Sequence, residues 1–160
     1  MSRLVLTFVF LAAAAAFAQE KPVKSDLPLT WPVTLKLASS SAGPSGWKYA
    51  VEVTITNTLT RTLQLDGPSV AEGGEIDNAL FEVTVDGKKV EYRGEMRKRA
   101  PPDRFVKVAA GKSYRVVVEL SEAWPVPPGP HVVTVRFSHR NHFSPDGFNL
   151  ESEPLSLSLR

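Results

Sequence analysis

The chain has no cysteine. That excludes disulfides, thiolate zinc sites, a lipid-bearing cysteine and cysteine nucleophiles in one step. A domain without such cross-links must be held by its core. Long apolar runs are scarce too. Leu4 to Phe17 is apolar apart from Thr7, a stretch of 14 residues where a spanning helix needs about 20. No later segment is as long. Charge of one sign is also lacking, with 19 Lys+Arg against 17 Asp+Glu and a net +2. A general nucleic-acid binder would carry far more positive charge, so no nucleic-acid partner is expected. Sustained helical periodicity is absent after the first apolar run.

What is present at the start reads as an export signal. Arg3 supplies a charged n-region, the apolar run follows, and Ala16-Phe17-Ala18 gives the small-x-small pattern of a cleavage site. The expectation is a signal over 1–18, cut before Gln19, then a proline-bearing flexible leader over 19–32 and one domain over 33–160. The mature protein is expected in the periplasm or outside the cell, with no membrane span.

Beyond the leader, alternation of apolar and polar residues dominates. Val33 to Leu37 alternates, and Tyr49, Val51, Val53 and Ile55 share one face of the clearest strand, Trp47 to Thr56. Ser39 to Gly46 reads as a loop, as does Asp66 to Asp77. Leu63 and Leu65 mark a short strand. The centre of the pattern is Leu80 to Gly94, where two alternating runs flank Asp86-Gly87. That pair suits a type I′ turn, since both central residues need positive φ. Phe105 to Val108, Ser113 to Leu120, His131 to Phe137 and Leu155 to Leu159 complete the strands. Trp124 to Pro130 is too rich in proline for helix or central strand. Arg140 to Phe148 reads as a polar loop. Eight or nine short antiparallel strands separated by turns predict an immunoglobulin-like β-sandwich, with a small β-barrel as the alternative.

No motif carries catalysis. There is no His-Glu-x-x-His, and His139-Arg140-Asn141-His142 lacks both the helical setting and further ligands. No Gly-x-Ser-x-Gly elbow occurs, and Gly111-Lys112-Ser113 reads as a hairpin turn. Glu72, Glu75 and Asp77 match no calcium loop. Catalytic, cofactor and metal residues are therefore expected to be none. One segment stands out by charge. Lys88 to Lys107 holds eight Lys/Arg against three Asp/Glu. Arg93, Arg97, Lys98, Arg99 and Arg104 are the candidate contacts with another protein. Trp124 joins them, its place between core and surface left open. Solvated charges that keep strand edges from pairing are the competing reading.

From Leu80 to Phe137 the chain resembles the β-rich domain that precedes the catalytic domain in bacterial deuterolysin-type (aspzincin) zinc metalloproteases. The residues that carry the resemblance are Leu80-Phe81-Glu82-Val83, Asp86-Gly87, Val90-Glu91-Tyr92-Arg93-Gly94 and Lys98-Arg99-Ala100-Pro101. Gly111-Lys112-Ser113, Val118 to Ser121 and Gly129 leading into Val132 to Phe137 extend it. The resemblance implies a pro-domain-like protein that inhibits or chaperones a secreted metalloprotease. A structural or adhesive envelope module with the same fold is the alternative, because sandwiches host many functions. Oligomeric state is left open.

Overall fold

A computed structural model of the protein describes residues 29–98, 105–143 and 147–160. The expected signal over 1–18 and residues 19–28 of the expected leader lie outside the described residues. Ten strands and two short 3-10 turns, Gly67–Val70 and Glu72–Gly74, account for the regular structure, with no α-helix among the described residues.

One half of the fold is built on a long hairpin. β1 (Thr30–Gly43) and β2 (Gly46–Thr56) run antiparallel, pairing Val33 with Ile55, Leu35 with Val53 and Leu37 with Val51. Tyr49, Val51, Val53 and Ile55 are wholly buried, as their alternation requires. β7 (Ser113–Glu119) pairs with the far side of β2, setting Val51 beside Val118 and Val53 beside Val116. On the other side, β9 (Phe148–Ser152) runs parallel to β1 over Thr30 to Val33.

The other half holds the central hairpin, β4 (Phe81–Val85) and β5 (Lys88–Val90). Asp86 and Gly87 take φ of 50° and 76°, the pair of positive values that a type I′ turn demands. β8 (His131–Asn141) lies beside β4, with Phe81 opposite Phe137 and Val83 opposite Val135. β10 (Leu155–Leu159) takes the other side of β8. β8 belongs to both halves, since Ser138 to Asn141 pair with β9. The strand order is β5-β4-β8-β9-β1-β2-β7, with β10 on β8. A strand that passes from one sheet to the other is how such layers join at a corner. β3 (Leu63–Asp66) and β6 (Phe105–Val108) form a separate two-stranded sheet.

One apolar core unites these parts, from Trp31 and Phe148 to Phe81, Trp124 and Phe137. The result is an all-β sandwich, as expected, and not a closed barrel, because β5 and β7 at the two ends of the order do not pair.

Three details differ from the sequence reading. β1 begins at Thr30, inside the expected leader, because Trp31 is a core residue at 1% exposure and donates Nε1–H to the Thr56 carbonyl at 3.0 Å. β1 also continues through Ser39 to Gly43, where serines sit in an exposed strand instead of a loop. β8 runs into the expected polar loop as far as Asn141, and β9, starting at the loop's last residue Phe148, adds a parallel pair to a set expected to be antiparallel. Its Phe148 and Leu150 are buried, but the alternation is too short to stand out.

Candidate functional site

The hairpin leads straight into the site. After Val90 the chain leaves the sheet, and Tyr92 folds back with its ring 4.9 Å from that of Trp124. Trp124 meets Phe81 edge-on at 5.7 Å, and Phe81 meets Phe137 at 5.1 Å. Four rings thus run from the groove to the core, in the edge-to-face and tilted geometries that aromatic quadrupoles favour. The Tyr92 phenol donates to the Glu95 carbonyl at 2.8 Å, with the Ile76 carbonyl at 3.2 Å as a second acceptor. Gly94 makes that return possible. A Cβ there would come within 2.8 Å of the Tyr92 ring at Cε2 and closer still to its phenol end. The Tyr92-x-Gly94 spacing is therefore a folded knot.

Backbone bonds lash this segment down. Arg93 N–H donates to the Ala123 carbonyl at 2.8 Å, and Arg97 N–H to the Asp77 carbonyl at 3.1 Å. Between them opens a groove of about 560 Å³, lined by Gly74 to Asp77, Tyr92 to Glu95, Arg97, Glu119, Glu122 and Ala123. Two guanidiniums, Arg93 and Arg97, face five carboxylates here: Glu75, Asp77, Glu95, Glu119 and Glu122. Arg97 Nε lies 3.4 Å from Asp77 Oδ1 and 4.0 Å from Glu95 Oε2. Arg97 and Glu95 are exposed and Asp77 is half-buried, so these long contacts contribute little to stability.

The expected contact residues thus part company. Arg93 and Arg97 come together at the groove, and Lys98 is exposed just beyond it. Arg99 and Arg104 lie outside the described residues. Trp124 is corrected from contact candidate to core residue: it is 1% exposed, and its carbonyl accepts the Tyr49 hydroxyl at 2.8 Å. The expected positive rim is mixed in sign at the groove, because the loop from Glu75 to Asp77 folds against it. No sequence signal announced that meeting.

Four groups among the described residues depart from their ordinary values. Burial, then Asp77 and Glu95, raises the Tyr92 phenol above its ordinary value. Burial and then Glu72 push Tyr114 up to about 12. Tyr49 is raised by burial and then by Glu119. Asp86 moves the other way: the Val132 N–H, at 2.9 Å from Oδ1, and His131 Nδ1, at 2.7 Å from Oδ2, hold its carboxyl below the usual range. This ties the hairpin turn to the start of β8.

The histidines His139 and His142 lie with ring centroids 6.2 Å apart. Among the described residues no set of three His, Asp or Glu side chains is arranged to hold a metal. Lys112 N–H donates to the Ala109 carbonyl at 3.0 Å, the hairpin-like turn expected of Gly111-Lys112-Ser113. Glu72, Glu75 and Asp77 line a smaller hollow beside the groove.

Sequence reading missed the buried polar residues. Asn57 Nδ2 donates to the carbonyls of Arg61 and Val108, both at 2.8 Å, and its Oδ1 accepts the Leu59 N–H at 2.9 Å. Asn141 Oδ1 accepts the Asp66 N–H at 2.8 Å, and Ser69 Oγ donates to Asp66 Oδ2 at 2.6 Å. Such residues look like ordinary turn chemistry until the loops close over them.

No protein-family model matches the chain, and neither does any curated protein. A solved structure, Northeast Structural Genomics Consortium target SoR45, aligns with a TM-score of 0.37 and 13% identity, covering 79% of this chain and 83% of that one.

Proposed function

We propose that this chain is an exported, non-enzymatic binding domain that takes a secreted metalloprotease as its partner, as inhibitor or folding chaperone. One observation carries the reading. Val90-x-Tyr92-x-Gly94, the most particular part of the pro-domain resemblance, is the knot that shapes the open groove. Arg93 stands inside the motif and Arg97 just after it, both exposed. Charged groups of both signs on an open rim steer and orient a protein partner more than they bind it.

The test is direct. Purified protein is added to a deuterolysin-type protease from the same source, during substrate cleavage and during refolding of the protease. Slower cleavage or a higher yield of active protease, with a one-to-one complex, is expected. Neither effect at about 10 µM, a concentration well above the dissociation constant of a specific inhibitor, counts against the reading. Recovery of envelope components in place of protease would favour the structural alternative.

A further inference from the structure

We propose that the outer edge of β1 from Ser39 to Gly43 pairs antiparallel with the same edge of a second copy of this chain, joining two sheets across a two-fold axis. This rests on β1 alone and is independent of the protease reading.

β1 is the longest strand, yet β9 covers its outer side only as far as Val33. From Thr34 to Gly43 no strand among the described residues occupies that side. In an antiparallel ladder, alternate residues direct N–H and C=O away from the partner strand, so this edge presents a row of unpaired backbone groups.

The two end strands of the order, β5 and β7, carry protection that this edge lacks. β5 is three residues long and carries Lys88 and Lys89. β7 is overlaid by the second 3-10 turn, where a Cβ added to Gly74 would come 2.9 Å from the Val117 carbonyl oxygen. On β1, Leu37 to Gly43 has no charge and no proline, and Ser39 to Ala42 are all exposed. The irregularity between Leu37 and Ser39 ends one stretch of ladder and begins a second. The second stretch, Ser39 to Gly43, is the self-pairing segment.

Charge and shape select a second copy as the occupant. With Ser41 of one copy opposite Ser41 of the other, Ser40 faces Ala42 and Ser39 faces Gly43. Only small, neutral side chains meet, and serine pairs across strands are favourable. The two Lys36 side chains then stand about 30 Å apart along the ladder. Lys48, the β2 neighbour of Ser41, lies one strand out on each side. Three strand spacings put the two Lys48 about 14 Å apart, beyond the screening length in physiological salt. The same segment of both copies is used up in the contact, so this pairing closes at two. The contact is short, which places it among weak, concentration-dependent dimers.

Sedimentation equilibrium on the purified chain, from about 10 µM to 1 mM, tests it. The expected result is a monomer–dimer equilibrium. Ser41→Asp and Ser41→Lys each put like charges opposite one another and are expected to weaken dimerisation at least about tenfold. An equimolar mixture of the two variants restores it. Circular dichroism melts of both variants confirm that the exposed substitution leaves the fold intact. A wild type that stays monomeric throughout, a dimer unmoved by either variant, no recovery on mixing, or species larger than a dimer would each overturn the proposal.

Discussion

Tyr92 divides two regions with opposite chemistry. On its inner side the rings of Trp124, Phe81 and Phe137 pass the contact into the core, and all three residues are at most 3% exposed. On its outer side stand Arg93, Glu95 and Arg97, exposed charges whose side-chain pairs add little to folding. The inner region holds the fold through packed area, which no single charge could replace. The outer region is free of that duty, and its shape is fixed by backbone bonds at Ala123 and Asp77. Residues that can change without unfolding the protein are the ones available for recognition. The groove is a surface feature standing on a structural one.

Substitutions on the two sides of Tyr92 should therefore behave differently. Trp124→Ala removes the middle of the ring series and the packing beneath the groove. Chemical denaturation should show a loss of about 3–5 kcal/mol, the usual cost of truncating a buried tryptophan. A loss below about 1 kcal/mol would erase the distinction between the two regions. Gly94→Ala acts at the boundary, driving a methyl group into the Tyr92 ring. Its expected cost is about 1–3 kcal/mol, the range for overpacking, with the Tyr92 signals perturbed in NMR spectra. An unchanged Tyr92 environment would mean that the knot is not what shapes the groove.

A smaller effect is expected at the hairpin turn, far from either region. The Asp86 carboxyl is held below its ordinary value by Val132 N–H and then His131. A lowered folded-state value means that the bonds stabilise the protein above the unfolded value, near 3.9, and are lost as pH falls through the folded value. The melting temperature of Asp86→Asn should therefore lie below wild type at pH 7. The two should converge as the pH falls below about 4, where the wild-type carboxyl takes up its proton. Parallel curves over that range would remove the carboxylate from the turn's stability.

How much of this could be read beforehand follows the same division. Alternation exposed the strands whose inner faces are buried, such as Tyr49 to Ile55, because burial and period are two views of one constraint. The Asp86-Gly87 turn was equally legible, since few residues accept two positive φ values in succession. Trp31 escaped because the proline beside it disguises the start of a strand, and Ser39 to Gly43 because serines in an exposed strand look like a loop. The groove was only half legible. Arg93 and Arg97 declared themselves by local charge, whereas Glu75, Asp77, Glu119 and Glu122 reach it through folding alone. Trp124 could not be placed from its proline-rich neighbourhood, and the contact with Phe81 settles it as core.

On the proposed function the groove rim, and not the core beneath it, meets the partner. Calorimetric titration of a deuterolysin-type protease with the wild type and with Arg93→Glu/Arg97→Glu tests this most directly. The expected result is a one-to-one complex weakened about 10–100-fold by the double substitution, with an unchanged melting temperature. Equal affinity for both proteins, or no complex with either, would contradict it.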